Sequence, residues 1–168
     1  MKMKQGSLWL LCGIPGSGKT TWAKQKINQD GGIHVSRDEV RFSFLKENDE
    51  YFDRENEVFN EFIRRIDEGL KTGNTVYADA THLHWASRRK TLRALGLDKD
   101  ENADINVIVF NTPLKECLAR NSHREGRENV PEEVIISMYK AYRSPLQDFR
   151  KYNNVIFLDE NFKEMNAE

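Results

Sequence analysis

The sequence predicts an α/β fold in which a parallel sheet of about five strands is sandwiched by helices. Two observations carry this. Short apolar runs bounded by turn residues alternate with longer segments of helical periodicity. The first apolar run also leads through a glycine-rich loop straight into a helix, and strand, loop and helix in that order form a unit of parallel sheets. At 168 residues the chain has the length of one domain, spanning 1–168, with enough apolar content to bury a core.

Leu8–Cys12 reads as the first strand and Gly32–Ser36 as the second. A helix starts at Thr21, with Trp22, Ala23 and Ile27 facing inward. Between Asp53 and Lys71, Val58, Phe59, Phe62, Ile63, Ile66 and Leu70 share one helical face. Gly73 follows at a C-terminal cap. Thr75–Asp79 reads as the third strand, Arg88–Leu95 as a helix stopped by Gly96, and Ile105–Phe110 as the fourth strand. Pro113 is expected at the first position of a helix that turns Leu114, Cys117 and Leu118 inward. Pro131-Glu132-Glu133 opens another helix, and Val155–Leu158 is expected as the last strand. Asp98–Asp104 is a charged loop.

The loop after the first strand is Gly13-Ile14-Pro15-Gly16-Ser17-Gly18-Lys19-Thr20, with Thr21 behind it. It has the P-loop spacing in the strand–loop–helix context that gives the motif meaning. Glycines let backbone N–H groups turn toward an anion, and the helix N-terminus adds positive partial charge. The run through Thr21 is therefore expected to bind a nucleoside triphosphate, taken as ATP. Lys19 reaches the β- and γ-phosphates and the Thr20 hydroxyl holds Mg²⁺. The fold class narrows to a P-loop NTPase or kinase.

In open α/β sheets, ligands bind beyond the carboxyl ends of the strands. The second strand ends in Ser36-Arg37-Asp38-Glu39-Val40-Arg41 and the third in Asp79-Ala80-Thr81-His82. Two carboxylates thus converge on one phosphate site. Phosphoryl transfer needs metal positioning, a proton acceptor and cations on the phosphoryl group. Asp38 suits the general base, and Asp79 suits Mg²⁺ or its waters, as Asp38 does through water. Arg41 lies one helical turn beyond Asp38, where it could face the same acceptor. The run Arg120-Asn121-Ser122-His123-Arg124-Glu125-Gly126-Arg127 suits a mobile arginine lid at about 120–131.

Four blocks carry a resemblance to the kinase domain of phage and bacterial polynucleotide 5′-kinases. They are Gly13–Trp22, Ser36–Arg41, Asp79–His82, and Arg120–Arg124 continuing to Val130-Pro131 and Ser137–Lys140, in the family's order. The resemblance implies ATP as donor, Mg²⁺, and the 5′-OH of DNA or RNA as acceptor, in nucleic-acid end repair. It implies Asp38 as general base and Arg41 on the acceptor's phosphate. Asp79, with Thr81 and His82, falls on the acceptor side. Arg124, and Arg120 as a weaker match, fall on the donor phosphates. The chain departs from the family pattern at Ser36 and His82, both near the acceptor. It carries no Asp-x-Asp-x-Thr or Asp-x-Asp-x-Val motif, so 3′-phosphatase activity is not expected.

Other readings stay open. The acceptor could be a nucleoside, metabolite or antibiotic. Alternatively, Val155–Leu158 followed by Asp159-Glu160 could be the strand of an AAA-type ATPase that activates water; an ordinary strand and polar turn is the favoured alternative. His82 and His84 are two apart, a weak metal pattern read as polar loop residues. Arg88-Arg89-Lys90 with Arg93 is either a nucleic-acid backbone contact or a solvated helix face. A net charge of −1 excludes a uniformly basic surface. Two cysteines, Cys12 and Cys117, on apolar faces suit a reduced cytoplasmic protein. The basic start Met1–Gly6 precedes an apolar run too short for a signal peptide or membrane span, so no membrane association is expected.

Overall fold

The computed structural model describes residues 5–166, so the basic residues Met1–Lys4 lie outside the described residues. Its elements are β1 (Leu8–Cys12), α1 (Lys19–Asp30), β2 (Ile33–Ser36), α2 (Arg37–Phe44), α3 (Glu55–Lys71) and β3 (Val76–Asp79). There follow α4 (Trp85–Ala94), β4 (Ile105–Phe110), α5 (Leu114–Ser122), α6 (Glu132–Ala141), β5 (Asn154–Leu158) and β6 (Glu164–Met165). The strand order is β2-β3-β1-β4-β5-β6. The five expected strands are all parallel. A sixth, two residues long, folds back antiparallel on β5, so Val155–Leu158 is not the last strand. It formed no readable pattern because two exposed residues carry no periodicity.

Register sets the functional edge. Leu11 of β1 pairs with Asp79 of β3, and Asp79 with Ser36 of β2. The segments leaving these strands therefore emerge side by side. β4 is buried at every position, as expected of a strand covered on both faces. One face carries Leu10, Val107, Phe62, Ile66 and Leu92. The other carries Leu11, Ile108 and Ala23, with Trp22 packed edge-on to Tyr77 and Phe110. Each such side chain contributes on the order of 1.5–3 kcal/mol by burial.

Within α3, Val58, Phe62, Ile66 and Leu70 are buried as expected, whereas Phe59 and Ile63 are only half-buried. The Phe59 ring instead lies under Arg37 and Lys90. Pro113 stands at the N-cap, outside α5, not at its first helical position. Its ψ of 142° is extended, which ends the incoming loop before the helix turns. α4 starts at Trp85, three residues before the expected start, because His84 and Ser87 form a reciprocal capping box. Among the described residues, no helix is long and apolar enough to cross a membrane.

Candidate functional site

The loop between β1 and α1 is braced from below. Ile14 packs with Leu83, Cys117 and Ile135. The Ser17 carbonyl accepts from Thr112 Oγ1 at 2.8 Å, and Gly13 N–H donates to the Thr81 carbonyl at 3.0 Å. Gly16 and Gly18 have φ of 83° and 98°, in the left-handed region that favours glycine. A Cβ on Gly16 would stand 2.6 Å from the Cys117 carbonyl oxygen. Pro15, Gly16, Gly18, Lys19, Thr20 and Thr21 line the cavity above the loop. The side chains of Ile14 and Ser17 brace the loop beneath it, so their share in nucleotide binding would come from the backbone.

Lys19 is buried, and its ammonium donates to the carbonyls of Gly13 at 2.8 Å and Ile14 at 3.1 Å, holding the loop's shape. Burial pulls its pKa below the ordinary lysine value, with the Asp79 and Asp38 carboxylates opposing. The Thr20 hydroxyl donates to Asp79 Oδ2 at 2.7 Å. His34 Nε2 lies 2.8 Å from the same oxygen and donates to it from β2. Burial pushes the Asp79 carboxyl up. The His34 bond, the Lys19 ammonium and the Thr20 hydroxyl outweigh it, and the net shift is downward. Thr20 and Asp79 thus present hard oxygen donors at the loop mouth, the donor type that Mg²⁺ takes.

Across the cavity, Ser36 caps α2 by accepting from Glu39 N–H at 3.2 Å. Asp38 then stands in the first turn, with its side chain 57% exposed. Arg41, one turn on, is 5% exposed. It donates through Nη1 to Asp38 Oδ1 and to the Tyr51 hydroxyl, and through Nε and Nη2 to Glu55 Oε1. Tyr51 donates to Asp38 Oδ1 at 2.6 Å. Arg37 joins Glu55 from the other side at 3.0 Å. Arg41, expected on the acceptor's phosphate, lines the cavity and is also the hub of an internal network. Lys19, Thr20, Asp38, Asp79, Thr81 and Arg124 do line one cavity of about 800 Å³.

Three expectations are corrected. His82 is buried at 3% exposure, with Nδ1 bonded to the Leu11 carbonyl and Nε2 to Thr91 Oγ1. It faces the core beneath the site, not the acceptor, and burial holds its pKa down at about 4. Arg88 is neither a nucleic-acid contact nor solvated. It is fully buried, forks onto both oxygens of Asp148 at 2.7 and 2.8 Å, and donates to the His82 and Arg143 carbonyls. Arg120, expected on the donor phosphates, does not line the cavity; its guanidinium lies beside Gly18 and bonds Glu116 and the Gly16 carbonyl. Arg124 and Arg127 are the expected lid residues that border the cavity. Among the described residues no group of three metal-binding side chains forms. Asp159 accepts from the N–H groups of Asn161 and Lys163 in the turn after β5, where Glu160 is exposed.

Sequence reasoning missed His34, Tyr51, Phe52 and Glu55. Arg127 reaches from the lid to the carbonyls of Lys46 at 3.1 Å and Asp49 at 2.9 Å, tying the lid to the loop before α3. One signal was available. Tyr51-Phe52 is an aromatic pair inside an otherwise charged segment. The others act through partners remote in sequence.

A family model described as an AAA domain matches residues 8–146. Among solved structures, a chain of the Pnkp1/Rnl/Hen1 complex is 28% identical with a TM-score of 0.57, over 71% of this chain and 40% of its own length. This chain thus spans less than half of that one. A fungal RNA kinase is 16% identical with a TM-score of 0.60, over 100% of this chain and 79% of its own. A gluconokinase from Sinorhizobium meliloti 1021 is 17% identical with a TM-score of 0.56, over 93% and 83%. At these last two identities the likeness is one of fold.

Proposed function

This chain belongs to the AAA domain family, on a P-loop kinase fold of the polynucleotide kinase-like kind, and from that premise we propose that it moves the γ-phosphoryl of ATP to the 5′-OH of DNA or RNA. The observation that carries the reading is Asp38, a half-exposed carboxylate across one cavity from Lys19 and Thr20. A carboxylate on the acceptor side suits a hydroxyl nucleophile. A hydrolase using Glu160 would need that side chain at the phosphates, but it does not line the cavity.

In this mechanism the acceptor hydroxyl gives its proton to Asp38 as its oxygen bonds the γ-phosphorus. The bond from that phosphorus to the β,γ-bridging oxygen breaks, and ADP leaves. Lys19 exchanges its loop carbonyls for phosphate oxygens, and Arg124 approaches from the lid. Thr20 and Asp79 would hold Mg²⁺ from the protein side, and the ion would supply neutralisation of phosphate charge. His34 keeps Asp79 ionised and oriented. Arg41 and Tyr51 hold the Asp38 carboxylate.

The nucleic-acid acceptor is supported by the four sequence blocks and by the likeness to a chain of the Pnkp1/Rnl/Hen1 complex. The acidic rim residues Glu47 and Glu50 favour a second reading, a small uncharged acceptor. Transfer of labelled γ-phosphate to 5′-OH DNA and RNA oligonucleotides, beside small polyols and nucleosides, separates them. Label on the oligonucleotide, lost by roughly 10²–10⁴ in rate with Asp38→Ala, is the expected result. Label only on a small acceptor sinks the polynucleotide assignment.

A further inference from the structure

We infer that Phe52, seated on Tyr51, is the acceptor-specificity element of this site, and that it stacks on the terminal nucleobase of the strand being phosphorylated. The inference rests on the polynucleotide reading above and names what the protein recognises in that acceptor.

Phe52 borders the cavity and is 61% exposed. A phenyl ring left open in a cleft whose wall mixes charged side chains with Val130, Val134 and Met138 has a free face for an apolar, planar group. Its support is rigid. Phe52 meets Tyr51 edge-on at 4.7 Å and 83°. Tyr51 in turn is fixed at three points: its hydroxyl on Asp38, the Arg41 guanidinium 4.2 Å from its ring centre, and Phe42 at 6.2 Å. The preceding loop is itself closed by Asp49 on the Lys46 N–H, by Asp53 on the Glu50 N–H, and by Arg127 from the lid. A stacking platform needs this kind of support, because a ring free to rotate loses its gain to entropy.

The span also fits. The Tyr51 hydroxyl and Arg41 hold Asp38 Oδ1, which leaves Oδ2 for the acceptor hydroxyl. Phe52 packs against the ring of that tyrosine. In a nucleoside the base stands one sugar ring away from the 5′-hydroxyl. An acceptor whose hydroxyl reaches Asp38 therefore brings its base toward Phe52. A sugar acid would bring no π-face. The carboxylates of Glu47 and Glu50 in the same wall disfavour phosphate there, which leaves the base as the group this wall reads.

The test uses two 5′-OH oligonucleotides, identical except that one has an abasic terminal nucleotide. Wild type is expected to prefer the base-bearing end by roughly 5- to 150-fold in kcat/KM, the range that base–aromatic stacking spans. Phe52→Ala should bring that ratio near one, Phe52→Trp should keep it, and ATP affinity should be unchanged in both. Equal use of the two ends by wild type, or a preference that survives Phe52→Ala, overturns the inference while leaving the polynucleotide reading intact. Transfer to neither oligonucleotide, with transfer to a polyol, removes both.

Discussion

The two halves of the site are built on different principles. The donor half is made of backbone and core. Lys19, Ser17 and Asp79 are buried, their partners are carbonyls and neighbouring strand residues, and the loop rests on Ile14 and Thr112. The acceptor half is made of side chains gripping side chains. Asp38, Arg41, Tyr51, Glu55 and Arg37 bond one another along two helices and a loop, with Asp38 and Phe52 open to solvent. A phosphate is the same in every nucleotide, so a rigid cradle suits it. Acceptors differ, and a network of side chains can be rewritten one residue at a time without disturbing the sheet.

That contrast is sharpest in the kinetics of two single changes. Asp38→Ala should lower turnover by roughly 10²–10⁴ while nucleotide affinity barely changes, because the proposed mechanism places the carboxylate on the acceptor hydroxyl. Lys19→Ala should weaken both ATP binding and turnover, since its ammonium serves the loop and the phosphates together. Equilibrium binding of ATP with single-turnover transfer, run on both variants, reads the difference. Full turnover in Asp38→Ala, or undiminished ATP affinity in Lys19→Ala, would break the division of labour.

Legibility in the sequence follows the same line. The donor loop could be read because its chemistry is local: eight consecutive residues between a strand and a helix contain nearly everything it needs. Asp38 and Asp79 could be read as carboxylates at strand ends, and the five parallel strands from their apolar runs. The acceptor half could not, because its bonds join Arg41 to Glu55 and Asp38 to Tyr51 across a turn of unrelated composition. His34 pairs with Asp79 across a sheet order that periodicity does not reveal. Arg88 was legible in part. It shares a helical face with Thr91 and Leu92, both buried, a spacing that outweighs membership of a charge run. Its partner Asp148, 60 residues away, has no local mark.

Arg88 is where the comparison can be broken from beneath. It lies in the core under both halves, and its Nη1 holds the His82 carbonyl at 2.7 Å. His82 has φ of 42°, uncommon for a residue with a side chain, and that carbonyl bond helps hold the conformation. Arg88→Ala leaves Asp148 buried at 2% side-chain exposure without its cation. Loss of one partner of a buried pair costs about 3–5 kcal/mol, measurable by urea unfolding. A loss under about 1 kcal/mol would mean that Tyr152, which donates to Asp148 at 2.6 Å, satisfies that carboxylate by itself.

A smaller effect separates the donor half from the acceptor half by pH. His82 bonds the Leu11 carbonyl at the end of β1, so it belongs to the floor of the phosphate loop. Its folded-state pKa of about 4 lies below the ordinary 6.5. As pH falls, the unfolded chain therefore takes up its proton first, and the folded state loses stability between about pH 6.5 and about pH 4. One such group contributes at most ~1.4 kcal/mol per pH unit, roughly 3 kcal/mol across the window. The depressed Asp79 carboxyl adds stability that is intact above its ordinary 3.8 and is lost only below it, so the two windows do not overlap. His82→Asn tolerates the positive φ and does not titrate, so its stability should stay nearly level from pH 6.5 to 4.5 while that of wild type declines. ATP binding should hold until the protein unfolds, because the loop and its floor unfold together. Equal slopes for the two proteins would detach His82 from the acid response, and ATP affinity lost well before unfolding would show that the donor loop is less a part of the core than its bonds to Leu83, Thr81 and Thr112 imply.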